Sequence, residues 1–135
     1  MVDKSSRDKN GVKQRPLSPH IQVYEWRINM LTSILHRASG IALAVGALLV
    51  VALLFSAATS AECFETVSGF LATPLGMFML MGWSAALFFH MFSGLRHMVL
   101  DTGKWFSLRI NRLTAFSIYA IAAVLTAAFW YSLIG

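Results

Sequence analysis

Charge is scarce in this chain. Of its 135 residues only 13% are Asp, Glu, Lys or Arg, with six acids against eleven bases. With 57% hydrophobic residues and a mean hydropathy of +0.64, the chain is too apolar for a soluble domain of this size. One cysteine, Cys63, excludes an internal disulfide. Prolines number three, and Pro74 alone lies among the apolar runs. Neither a repeat nor a low-complexity tract is present. The opening "MVDKSSRDKNGVKQRPLSPH" has no apolar core before Leu31 and carries Asp3 and Asp8. The expectation is therefore neither a signal peptide nor a transit peptide, and a bacterial inner membrane rather than an imported organelle protein.

Three segments carry the hydrophobicity: Gly40 to Ala58, about Leu71 to Phe92, and Leu113 to Gly135. Each is about 20 residues, enough to cross roughly 30 Å of hydrocarbon as a helix. The expected fold is all-α, an integral membrane bundle of three transmembrane helices behind a cytoplasmic N-terminal arm. The spans are expected at about 31–58, 70–101 and 109–134, within a membrane domain of about 31–135. The arm, about residues 1–30, holds a short interfacial helix signalled by Ser18 and Pro19. Thr73 before Pro74 reads as a helix cap, and Gly103 as the stop of the second span.

Every Lys and Arg lies in the arm, at the start of the first span, or between Arg96 and Arg112. The connection "TSAECFETVSGF", read as a loop, has Glu62 and Glu65 and no base. The positive-inside rule then puts the N-terminus in the cytoplasm and the C-terminus in the periplasm. The net charge of +5 needs no nucleic acid to explain it, because it lies where anionic lipid or a peripheral partner would meet it.

The stretch "FFHMFSGLRHMVLD", residues 88–101, sets His90, Arg96, His97 and Asp101 at the end of an apolar run. Ionisable groups there need partners or a cofactor. At about 100° per residue, His90, Gly94, His97 and Asp101 form one narrow stripe. Gly94 removes a side chain where a flat ligand would approach. Two readings stay open: a hydrogen-bonded bundle histidine beside a packing glycine, or a metal or haem ligand. His90 and His97 are about 10.5 Å apart along the helix and cannot share one iron. A haem on His90 would therefore need its second ligand from a partner chain. The rise from Pro74 to His90 is about 24 Å, which puts such an iron in the cytoplasmic half of the membrane.

A second group, "SILHRASG", opens the first span. Ser33, His36 and Arg37 stand at i, i+3 and i+4, on one face. A hydroxyl beside a fixed positive charge suits a quinone; the plainer reading is Arg37 snorkelling to headgroups. A transporter using His90 and Asp101 is disfavoured, since three spans leave little room for an inverted repeat.

Together, "RPLSPH" (15–20), "SILHRAS" (33–39) and "HMFSGLRHMVLDTG" (90–103) resemble the cytochrome b membrane-anchor subunit of succinate dehydrogenase. The resemblance implies His90 as an axial ligand of haem b and Ser33 and Arg37 at a ubiquinone site. It also implies His36 and His97 near the haem propionates, with Asp101 near the quinone end of its helix. It further implies a second anchor subunit supplying the other haem ligand, an iron–sulfur subunit and a flavoprotein subunit that oxidises succinate. The haem-free alternative is the anchor of a related fumarate reductase.

Overall fold

The structure is a computed structural model and describes residues 27–103 and 107–134. The expected interfacial helix near Ser18 and the "RPLSPH" motif lie outside these residues. Four helices follow in order: α1 (Ile28–Thr59), α2 (Ala61–Ala72), α3 (Pro74–Asp101) and α4 (Leu108–Ile134). Helices α1, α3 and α4 are long and apolar enough to cross a membrane. Helix α3 packs against both α1 and α4, and α1 touches α4 to a smaller extent.

Most buried positions are small or polar, Ile118 and Trp130 of α4 being the large apolar exceptions, and many large apolar side chains point outward. In α1 the buried residues are Thr32, Ser39, Gly46 and Ser56. The first three are seven apart, so they stack in one column facing the bundle. A second column seven apart, Ile41, Leu48 and Phe55, is 69%, 68% and 72% exposed. Lipid is as apolar as leucine, so burying leucine against another helix gains little there. Close backbone approach and hydrogen bonding hold such bundles instead.

The contacts follow that rule. Trp83 of α3 lies against Gly46 of α1, where a Cβ would overlap its indole ring. Between α3 and α4, Trp130 Nε1 donates to Ser84 Oγ at 2.8 Å. Thr32 Oγ1 and Tyr119 Oη are 3.1 Å apart, linking α1 to α4. Many hydroxyls are satisfied by carbonyls of their own helix, as Ser56 is by Leu53 and Thr126 by Ala122, whereas the buried Ser93 Oγ has no partner among the described residues. Gly46→Ala should force the indole aside and cost about 1–3 kcal/mol, the usual penalty of overpacking. The thermal-inactivation midpoint of the purified protein in detergent measures it, and an unchanged midpoint would show that Trp83 has room to move.

The connection expected as a loop is helical. Ser60 accepts a hydrogen bond from the Cys63 amide at 3.1 Å and so caps α2. At about 100° per residue, Cys63, Phe64, Val67, Phe70 and Leu71 share one side of α2, opposite Glu62 and Glu65. Thr73 caps α3 by accepting from Gly76 N at 3.2 Å, with Pro74 at the first helical position. After Asp101 the backbone turns at Gly103, whose φ of 81° favours glycine.

Candidate functional site

At the end of the bundle where α1 begins and α3 ends, three imidazoles meet. His36 and His90 are stacked, with ring centroids 4.0 Å apart and planes 11° from parallel. His97 stands at 5.1 Å from His36, tilted by 53°. His36 thus links the two histidines of the α3 stripe. Gly94 faces His36, whose Cε1 would lie 3.5 Å from an added Cβ. The space in front of Gly94 therefore holds an imidazole, at ordinary contact distance.

His90 is held on one side of its ring. Its Nδ1 lies 3.1 Å from the His36 carbonyl oxygen and 3.1 Å from Ser39 Oγ. Ser39 Oγ donates its only proton to that same carbonyl at 2.8 Å. Both oxygens facing Nδ1 can then only accept, so Nδ1 carries a proton, and in the neutral ring Nε2 holds the lone pair. Among the described residues no group hydrogen-bonds Nε2 of His90. Gly40 completes the cradle, since a Cβ there would stand 3.0 Å from His90 Cε1. His36 Nδ1 is buried and has no hydrogen-bond partner among the described residues. Such an atom asks for a ligand or a water.

Ser33, Arg37 and Asp101 are not drawn into these contacts. Ser33 is half-buried, Arg37 and Asp101 are exposed, and among the described residues none has a side-chain hydrogen bond or an ion pair. Ser33 and Arg37 are one turn apart on α1, flanking His36. Asp101 is one turn beyond His97 on α3. A groove of about 420 Å³ between α1 and α3 lies farther along the bundle, lined by Ala42, Gly46, Leu49, Leu71 and Trp83 among others. It is apolar and holds none of these residues.

The arrangement also gives contacts to residues for which the sequence patterns named no partner. Arg96 is 5% exposed. Its Nη2 donates to Asn29 Oδ1 at 3.1 Å, to the Asn111 carbonyl at 3.2 Å, and to Asn111 Oδ1. Its Nε donates to Thr114 Oγ1 at 3.2 Å. One guanidinium thereby ties the ends of α1, α3 and α4 beside the histidines. Ser39 and Gly40 are the other two. Ser39's signal was its place seven after Thr32 and three after His36.

Residues 11–129 match the family described as succinate dehydrogenase/fumarate reductase transmembrane subunit. The chain belongs to that family. It is 40% identical over 89 residues to a succinate dehydrogenase cytochrome b556 subunit of Paracoccus denitrificans, covering 66% of this chain and 68% of that protein. To a cytochrome b560 subunit of Reclinomonas americana it is 30% identical over 125 residues, covering 86% and 84%. A Rickettsia felis cytochrome b556 subunit matches at 29% over 117 residues, covering 87% and 91%. This family member is a multi-pass membrane protein and serves as a membrane anchor of a complex II-type enzyme.

Proposed function

We propose that this subunit binds haem b jointly with a second anchor subunit and forms part of the ubiquinone-reduction site of succinate dehydrogenase. The observation that carries the reading is His90, fixed through Nδ1 with its Nε2 lone pair uncommitted. That is the form in which an imidazole ligates a metal while its other nitrogen orients the ring. The relatives' names, cytochrome b556 and b560, support haem b as the group in question.

The residues present fit a haem on that side. His90 would hold the haem iron through Nε2. The orphaned Nδ1 of His36 and the neighbouring His97 suit a propionate carboxylate. Neither is placed to ligate an iron held by His90. Stacked rings point their in-plane lone pairs along offset parallel planes, and His97 shares its helix with His90. The second ligand would then come from the partner anchor. When bound, haem b supplies a one-electron relay inside the membrane.

Ser33 and Arg37 would hold the quinone. The guanidinium of Arg37 can stabilise negative charge developing on a quinone oxygen. Ser33 can donate to a quinone carbonyl, and Asp101 would lie near the quinone end of α3. In this reading the basic arm lies in the cytoplasm against the iron–sulfur subunit, with succinate oxidised in the flavoprotein. The C-terminus would lie on the periplasmic side of a bacterial inner membrane.

The test is quinone reduction by the assembled complex. Ser33→Ala should lose one orienting hydrogen bond, worth about 0.5–1.5 kcal/mol. Arg37→Leu should lose on the order of 10²-fold in rate, the scale of a missing charge-stabilising group. Succinate oxidation by a soluble artificial acceptor should survive in both. Normal quinone reduction by Arg37→Leu would put the quinone elsewhere. A reduced-minus-oxidised spectrum separates this reading from a haem-free anchor.

A further inference from the structure

We infer that Ser39 is a positioning residue for His90, raising its donor strength and so tuning the reduction potential of the group His90 ligates. This rests on the reading of His90 as a haem ligand. Ser39 is 8% exposed, so water does not compete strongly for its hydroxyl. Its Oγ bridges the His36 carbonyl at 2.8 Å and the His90 Nδ1 at 3.1 Å. The carbonyl receives both the hydroxyl proton and the Nδ1 proton, so the three groups form one closed triangle. Two consequences follow from it.

The first is fixed protonation. A serine whose own proton is committed to the carbonyl offers Nδ1 an acceptor and nothing else. The second is basicity. An imidazole that donates from Nδ1 to two oxygens pushes electron density toward Nε2, which makes it a stronger ligand. A stronger donor favours the ferric state, so the triangle holds the potential down. Gly40 acts on the same ring by shape, because a Cβ 3.0 Å from Cε1 would force the imidazole to shift.

The experiment uses the full complex with haem loaded, and reads the haem midpoint potential and the low-spin ferric EPR signal. Ser39→Ala should raise the potential and shift the EPR anisotropy while haem is retained, because the His36 carbonyl still accepts from Nδ1. Ser39→Thr, which keeps the hydroxyl, should return both to the parent values. Ser39→Cys replaces the hydroxyl with a weakly hydrogen-bonding thiol. It should move the potential the same way, and it decides the matter if the alanine complex does not assemble. Gly40→Ala should shift the EPR anisotropy. Parent potential and parent EPR signal in Ser39→Ala, or in Ser39→Cys where the alanine complex is lost, would overturn the inference. His90→Ala separates the two levels. If it bleaches the spectrum while the Ser39 variants match the parent, only the Ser39 inference fails. If it leaves the b-type spectrum intact, the haem reading fails and takes this one with it.

Discussion

Replacing His90 by Ala should abolish or greatly perturb the b-type absorption of the complex, leaving succinate oxidation by a soluble acceptor in place. Methyl has no lone pair, and the neighbouring imidazoles are poorly placed to substitute. His36 lies face-on to the ring at 4.0 Å, with its backbone engaged by Ser39. His97 is two turns along the same helix, about 10.5 Å away. The controls sharpen the result. His36→Ala removes a ring but keeps the carbonyl that orients His90, so it should retain haem with an altered potential. His97→Ala should retain haem as well, since nothing connects its ring to Nδ1 of His90. An unchanged spectrum in His90→Ala would remove His90 from the ligand set.

Arg96→Leu should lower the amount of assembled complex several-fold and lower its thermal midpoint, with Arg96→Lys recovering only part of the loss. The guanidinium serves Asn29, Asn111 and Thr114 through four hydrogen bonds, reaching helices on both sides of α3. At the roughly 0.6 kcal/mol typical of interhelical bonds in membrane proteins, four sum to on the order of 2 kcal/mol. A change of that size alters cellular abundance several-fold. Lysine has one nitrogen where arginine offers a planar fork, so it cannot reach α1 and α4 together in the same geometry. Quantifying the subunit in membranes alongside the haem content makes the check. Parent levels of an equally heat-stable Arg96→Leu complex would mean that the junction holds without its cation.

Much of the fold was legible in the sequence because hydropathy averaged over 18 or more residues survives single polar interruptions such as His90. Helix α2 was not. At 12 residues, with Glu62 and Glu65 among them, it averages out to a loop unless its one-sided apolar pattern is read at helical period. The stripe of His90, Gly94, His97 and Asp101 was readable because it depends on one helix alone. The stacking of His36 on His90 was not, since it depends on which face of α1 meets α3. That choice is made by the small residues of the Thr32, Ser39 and Gly46 column. The partners of Arg96 were hidden for a related reason. It sits about 100° around the helix from His97, off the stripe, and its acceptors Asn29, Asn111 and Thr114 lie on α1 and α4.

The inverted distribution of residue size has a consequence for how variation accumulates in this chain. Where a core is made of leucine and phenylalanine, harm follows the volume removed. Here it follows the volume added. Exchanges among Ile, Leu, Val and Phe at Ile41, Leu48 and Phe55 should drift almost freely wherever lipid covers them, because lipid adapts to their shape. A single methyl at Gly46, or a branched side chain at the fully buried Ser93, has nowhere to go. In a library of random variants many of the intolerant positions, beside Arg96 and the buried Trp130, would be serines, threonines and glycines. Any ranking that scores damage by lost hydrophobicity would call those positions harmless, and would put its warnings on the greasy exterior.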